Sequence, residues 1–296
     1  MGEAAQDTPQ SLRANVLGSK LTTYNIGGLI SSLYEPNSAD EVVSLIKDFN
    51  SRGKSFRIVG GGSNLLIPDE GISEPVIRLG NGFKYWNALG DSRVKIGASM
   101  PLIRLSQETA QLGLSGFEFA GGIPASVGGA VRMNAGAHGS DMAAVLEQIS
   151  IVTFDGQLLE LSPKELEFGY RRSNVGKIGL VLGAVAKLAP GATDQILALR
   201  AKNLAHRKSA QPITLPSAGS IFKNPSTELT AGIAIERAGL KGTRIGGAEV
   251  SMLHGNWIVN PERKATAVDV KMLISKCQEV VKEKLGVSLE TELVAW

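Results

Sequence analysis

FEFAGGIPASVGGAVRMNAGAHG, Phe117 to Gly139, has neither the period of a helix nor that of a strand. Gly121-Gly122-Ile123-Pro124, Gly128-Gly129 and Asn134-Ala135-Gly136 put flexible corners inside 19 residues, Gly121 to Gly139. Glycine loses more conformational entropy on folding than any other residue, so such density is costly unless backbone must wrap something. A second cluster lies upstream, where FRIVGGGSNLLI runs a short apolar strand into Gly60-Gly61-Gly62-Ser63-Asn64. That loop offers backbone N–H groups, a hydroxyl and an amide, a reasonable cradle for phosphate. It is not a Walker loop, since no Gly-Lys-Ser/Thr follows, nor the G-x-G-x-x-G fingerprint opening a helix. Either cluster alone can be a tight structural turn. Two of them in one lobe point to a long, flat, phosphate-bearing cofactor.

The flanking sequence supplies elements of both kinds. PNSADEVVSLIKDFNSRG predicts a helix: Ser38 and Glu41 fit a capping box, Val42, Val43, Leu45, Ile46 and Phe49 form its buried face, and Gly53 ends it. Val76 to Leu79 and Val94 to Ala98 have the composition of strands, and Pro101 opens a helix. ISIVTFDGQLLEL predicts a hairpin turning at Asp155-Gly156, and IGLVLGAVAKL a further strand. The basic stretch LALRAKNLAHRKSAQP, Leu197 to Pro212, predicts a helix at a domain boundary. Beyond it, Thr266 to Asp269 can cap a last helix that runs through Leu273, Ile274, Cys277, Val280 and Val281 to Leu285-Gly286. VSLETELV then alternates, with Val287, Leu289, Thr291 and Leu293 on one face and Ser288, Glu290 and Glu292 on the other. The expected class is α+β: an N-terminal extension over 1–20, a first lobe over 21–195 that carries both glycine loops, and a smaller C-terminal domain over 196–296.

Composition narrows function by exclusion. Hydrophobic content of 43% and charged content of 20% are those of a soluble globular protein. A net charge of +3 is too small to argue for nucleic acid or a membrane surface. One cysteine, Cys277, allows no internal disulfide and no multi-thiolate metal site, and its place in the last helix suits a core residue. No apolar run reaches the roughly 18 residues of a membrane span, and MGEAAQDTPQ lacks the basic start and apolar stretch of a signal peptide. The expectation is a cytoplasmic monomer with small-molecule partners and no metal.

PSAGSIFKNP, Pro216 to Pro225, poses the chemical question. Ser220 can be a nucleophile, a phosphate-contacting hydroxyl or a turn residue. A hydrolase needs a base and an orienting acid, but His138, His206 and His254 sit in no triad signature and SAGSI is not the G-x-S-x-G elbow. A serine can instead donate a proton to a carbanion, provided cationic groups stand nearby. Lys223, Arg171 and Lys241 are available for that.

GGGSNLL, GGIPASVGGAVRMNAGAHG, YRRS (Tyr170 to Ser173), PSAGSIFKNP, GLKGTRIGGAEVS and LETE, in this order, resemble the UDP-N-acetylenolpyruvoylglucosamine reductase family of peptidoglycan synthesis. The resemblance runs from Thr22-Thr23-Tyr24 to the C-terminus. It implies an FAD-binding lobe of the vanillyl-alcohol-oxidase (PCMH) type, made of two α+β subdomains, and a C-terminal substrate-binding domain. By that resemblance Gly60, Gly61, Gly62, Ser63, Asn64 and Leu65 would hold a non-covalent FAD. Gly122, Ile123, Pro124, Ser126, Val127, Gly128, Gly129, Asn134, Ala135 and Gly136 would complete its site. NADPH would reduce the flavin, and the enolpyruvyl UDP-sugar would follow on the same face. Ser220 matches the family's proton donor, and Arg171 and Glu292 its two other catalytic positions. Tyr170, Asn224 and Lys241 match substrate contacts.

Some features depart from the family or select within it. Ala125 stands where glycine is usual, and Arg132 where an apolar residue is commoner. Only 46 residues separate Ser173 from Ser220, too few for the tyrosine loop of the longer subclass. No His or Cys lies in Gly60 to Asn64, so a covalent flavin bond is excluded there, and His138 is the one nearby candidate. A flavin oxidase of the same superfamily is the rival enzyme, disfavoured by the short lobe carrying SAGSIFKNP. A flavin-binding module without catalysis is the rival from another class.

Overall fold

The computed structural model describes residues 12–296. Most of the expected N-terminal extension, residues 1–11, therefore lies outside the described residues. The rest of it is no extension: Leu12–Leu17 is a strand that pairs antiparallel with Leu29–Tyr34. Val76–Ile77 and Arg57–Ile58 continue this first sheet in parallel. Helix Ala39–Ser51 covers one side, with Ser38 accepting from the Glu41 N–H as its cap. Val42, Ile46 and Phe49 on that helix pack with Ile77, Phe83 and Leu182. The Glu41 carboxylate reaches the N–H of Asn37, one residue outside the capping box.

The second sheet is antiparallel, in the order Leu158–Leu161, Leu146–Thr153, Gly179–Lys187, Arg93–Gly97, Trp86–Gly90. The expected hairpin turns at Asp155-Gly156, where Gly156 has φ +82°. Gly179–Lys187 is the middle strand and is buried along all but its last residue, which is why GLVLGAVAK reads as an unbroken small and apolar run. One face of this sheet packs on helix Leu102–Gln111 and the short helix Val127–Met133. Helix Thr193–Ala210 starts four residues before the predicted one and lies against the same layer. Its Arg200 Nε donates to Ser106 Oγ at 3.1 Å, and Asn203 donates to the Glu118 carbonyl. By packing it belongs to the first lobe, so the division drawn at 195/196 falls inside a first-lobe helix.

The C-terminal unit surrounds a core of Ala234, Ile235, Val250, Val270, Leu273 and Cys277. Three short strands, Arg244–Ile245, Ala248–Val250 and Ile258–Val259, carry helices Ala231–Arg237 and Ala267–Leu285. The last helix has the predicted capping box at Thr266 and Asp269, and Gly286 closes it at φ +70°. VSLETELV does not form the predicted strand; only Val294–Ala295 does, and Thr291 is exposed. The segment changes partner as it runs, from Phe222 at Thr291 to Leu65–Leu66 at Val294–Ala295, so no single ladder grows along it.

The N-terminal part of the first lobe is stitched into this unit. Tyr24 is fully buried in the C-terminal core, and its phenol donates to the Ile258 carbonyl at 2.8 Å. Burial pushes that phenol well above its usual range. Asn260, also fully buried, donates to the Tyr24 carbonyl and accepts from the Ala265 N–H. Asp69 accepts from the N–H groups of Ala267 and Val268 at the start of the last helix. Tyr24→Phe leaves the buried Ile258 carbonyl without this donor and should cost about 1–3 kcal/mol. A fall in urea midpoint at unchanged denaturant slope checks it.

Candidate active site

A single cavity of about 1740 Å3 runs along the junction of the two units. The two glycine loops form one wall of it and touch each other. An ideal Cβ on Gly60 would lie 2.6 Å from Ser126 Oγ, and one on Gly61 3.1 Å from the Ser126 N–H nitrogen. Gly62 is fixed by its own geometry: φ is +64°, and a Cβ would fall 1.8 Å from the Leu21 carbonyl oxygen. Ser126 caps Val127–Met133 by accepting from the Gly129 N–H at 3.4 Å.

Of the residues expected to hold a cofactor, Gly60 to Leu65, Gly122, Ile123, Pro124, Ser126, Gly128, Gly129, Ala135 and Gly136 line this cavity. Val127 and Asn134 stand behind it. Val127 is fully buried in the core. Asn134 has φ +42°, and its side-chain groups are used within the fold: donation to Asp141 and to the Gly169 carbonyl, acceptance from the Ala143 N–H. Arg132 and Ala125, the two departures, also line the cavity.

The rest of the lining around Ser220 comes from three segments distant in sequence. Tyr170 and Arg171 are the tip of a two-residue turn closed by reciprocal bonds between Gly169 and Arg172. Arg171 has φ +56°, at a position turns normally give to Gly or Asn. Holding a non-glycine residue there costs about 1–2 kcal/mol, and the result is a guanidinium projected across the cavity. Its Nε lies 3.3 Å from Glu292 Oε1. Ser220 follows Gly219, at φ +77°, and lines the same cavity half-buried. Among the described residues nothing hydrogen-bonds its hydroxyl.

Backbone bonds set Ser220 beside Glu292. The Ile221 carbonyl accepts from the N–H groups of Glu292 and Leu293, and Lys223 N–H donates to the Glu290 carbonyl. On the other side Asn256, which is buried, bonds the N–H and the carbonyl of Phe222. Glu290 and Glu292 divide as their chemistry requires: Glu290 is exposed and paired with Lys223, while Glu292 is mostly buried and paired with Arg171. Asn224 lines the cavity, and its carboxamide oxygen accepts from the Ala231 N–H. Lys241 lies outside the cavity lining, 3.5 Å from Glu236, and its charge adds to the burial that depresses His254.

The sequence reading missed the charge balance of the walls. Eight Lys and Arg side chains line the cavity against two carboxylates, Glu35 and Glu292, so a modest overall charge is concentrated where a ligand would lie. It also missed Asn256, and three buried atoms on lining residues that have no partner among the described residues: Arg207 Nε, Gln211 Oε1 and Trp257 Nε1. The four-residue spacing of Arg207 and Gln211 was visible, but which face of the helix meets the cavity was not. A long anionic ligand with polar edges suits this lining.

The comparisons agree with that chemistry. A family model of the UDP-N-acetylenolpyruvoylglucosamine reductase C-terminal domain matches residues 211–296, and one of an FAD binding domain matches residues 30–162. The UDP-N-acetylenolpyruvoylglucosamine reductase of Bacillus licheniformis is 45% identical over 93% of this chain and 90% of its own length. That of Bacillus subtilis is 42% identical over 92% and 89%. The crystal structure of UDP-N-acetylenolpyruvylglucosamine reductase from Thermus caldophilus superposes with a TM-score of 0.84 at 39% identity, covering 96% of this chain and 99% of that one.

Burial pushes the Glu292 carboxyl above its ordinary range, with Arg171 and then Lys223 pulling the other way. The folded chain therefore holds this proton to higher pH than the unfolded chain does. The group's stabilising contribution is complete below the unfolded carboxylate range and is lost as pH rises through the raised value. Glu292→Gln should leave stability nearly unchanged at about pH 4 and raise it relative to the parent at about pH 7. Urea midpoints at the two pH values check this, and an equal offset at both would exclude it.

Proposed function

The chain belongs to the UDP-N-acetylenolpyruvoylglucosamine reductase family, and on that premise we propose that it reduces UDP-N-acetylenolpyruvoylglucosamine to UDP-N-acetylmuramate at the expense of NADPH, with Ser220 as proton donor. It is an FAD-dependent oxidoreductase of peptidoglycan synthesis. The observation that carries the finer reading is the juxtaposition of Ser220 and the Arg171–Glu292 pair in the lining of one cavity that the two glycine loops also line.

The lining fits FAD. Glycines at 60 to 62 let backbone approach a pyrophosphate without Cβ atoms, the excess of cations suits its charge, and unpaired polar atoms remain for a ring with donors and acceptors. Gly60 to Leu65 and the lining part of Gly122 to Gly136 would hold it, non-covalently. Bound there, FAD would supply the two-electron chemistry, accepting hydride from NADPH and passing it to the β-carbon of the enolpyruvyl group.

The protein's own part is charge and proton management. Hydride addition to the β-carbon moves the π electron pair onto the α-carbon and into its carboxylate. Arg171 sets a cation against that developing charge. Glu292, held toward its protonated form by burial, can donate a hydrogen bond to the same carboxylate. The Ser220 hydroxyl, unengaged by any of the described residues, would give its proton to the α-carbon and recover one from solvent. Tyr170 and Asn224 line the same cavity and would position the UDP-sugar. Lys241 would serve it from outside the lining. In this reading the enzyme works as a cytoplasmic monomer.

The purified protein should be yellow, and anaerobic NADPH should bleach it. Added UDP-N-acetylenolpyruvoylglucosamine should then restore the flavin absorbance, and failure to do so removes the assignment. Ser220→Ala should leave reduction by NADPH close to the parent rate and slow reoxidation by the sugar nucleotide by about 10²–10⁴-fold. Equal loss in both half-reactions would make Ser220 structural.

A further inference from the structure

Arg207, near the end of helix Thr193–Ala210, is a cation without a counterion. Among the described residues no carboxylate pairs with it and none of its N–H groups finds a protein acceptor, although Nε is fully buried. Leaving a guanidinium desolvated and unpaired is costly unless a ligand supplies the missing partner. Its surroundings make matters worse, because burial and the adjacent Arg171 push it down to about 10. His138, whose ring packs edge-on against His206, is depressed by burial, then by His206 and by Arg207 itself.

One contact and one charge interaction say where the missing anion lies. The Arg207 stem runs flat over the second glycine loop: an ideal Cβ on Gly122 would lie 2.6 Å from Arg207 Cδ. The cation thus lies against the second glycine loop. It lines the same cavity as Arg171, the partner of Glu292, and the Arg171 charge acts on it, so the reacting groups lie within its field. A dinucleotide's pyrophosphate cannot occupy the reacting end together with its ring. The part of the cofactor that belongs there is the isoalloxazine, whose pyrimidine portion becomes electron-rich and anionic when two electrons are added.

We propose that Arg207 is the counterion for the reduced flavin, a positioning and redox-tuning residue that binds the pyrimidine edge of the ring and raises its potential. The inference rests on the FAD reading above. A fixed cation beside that edge stabilises the reduced form more than the oxidised one and so makes hydride uptake from NADPH more favourable. Gln211, whose Oε1 is also buried and unpaired, is bonded to Arg207 through its backbone N–H at 3.0 Å and lines the same cavity. It gives the same edge an acceptor beside the donor.

The test is an anaerobic dye-equilibrated redox titration of the flavin-loaded enzyme, with sulfite binding as a second readout. Arg207→Met keeps an apolar stem and removes the charge. It should lower the ratio of reduced to oxidised flavin at a fixed dye potential at least about tenfold, equivalent to about 30 mV for a two-electron couple. Sulfite affinity should fall by a similar factor. Arg207→Lys keeps the charge and should stay within about threefold of the parent; a drop as large as that of Arg207→Met would remove charge as the cause and overturn the proposal. Potential and sulfite affinity unchanged in flavin-loaded Arg207→Met would also overturn it, whether FAD affinity or the substrate KM changed instead. If Arg207→Met does not retain flavin, binding of oxidised and reduced FAD to the apoprotein decides: an equal loss for both refutes the assignment, a loss at least tenfold greater for the reduced form supports it. Failure of the underlying function is distinct, since there the parent itself would hold no flavin or would not be reoxidised by the sugar nucleotide.

Discussion

The last extended segment, Glu290 to Trp296, is the constraint on which the site depends. It is bonded first to Ile221–Lys223 and then, three residues on, to Asn64–Leu66. The first set of bonds places Glu292 beside Ser220. The second ties both to the loop that begins at Gly60. The Asn64 side chain closes the junction by donating to the Glu292 carbonyl at 3.1 Å. Backbone hydrogen bonds are directional and short, so a side chain carried between two such ladders has little freedom to drift. Ser220, Glu292 and the loop that begins at Gly60 are thereby fixed to one another without any of them contributing a side chain to the bonding, apart from Asn64.

A second constraint is electrostatic. The walls are heavily cationic, and the one carboxylate near the reacting groups is buried enough to be held toward its protonated form despite its arginine. Such an arrangement is poor for stability in isolation, because desolvated like charges repel and the buried Arg207 Nε has no partner among the described residues. It becomes sensible around an anionic ligand that supplies the absent negative charge. The positive φ of Arg171 points the same way: backbone strain is retained where it aims a functional group.

Local structure was well expressed in the sequence wherever one interaction range decided it. The capped helix after Ser38, the Asp155-Gly156 hairpin, the capping box at Thr266 and the buried strand Gly179–Lys187 were all legible, since caps, turn residues and periodicity act over a few positions. VSLETELV misled because its alternation is real while its partner is not constant. Leu289 and Leu293 are buried as predicted, but Thr291 faces out and bridges to Phe222. Leu12–Leu17 was missed because three of its six residues pair with Leu29–Tyr34 while remaining exposed, leaving no apolar run to read. Asn134 was expected as a cofactor contact from the family resemblance; in the fold its carboxamide holds Asp141, Gly169 and Ala143 together.

By itself the sequence determined the α+β class, the two glycine loops, the single buried cysteine and the family, all of which rest on local pattern or on ordered motifs. It also named Ser220, Arg171 and Glu292 as belonging together, through the motifs that carry them. The tertiary structure decided how they meet: a strained turn for Arg171, a backbone ladder for Ser220 and Glu292, and a helix of the first lobe that brings Arg207 and Gln211 to the same cavity. It also decided that Thr22 to Ile26, far from the C-terminal domain in sequence, supplies part of that domain's core through Tyr24. None of this is written in any short window, because hydrogen bonds and buried charges are set by residues that become neighbours only once the chain has folded.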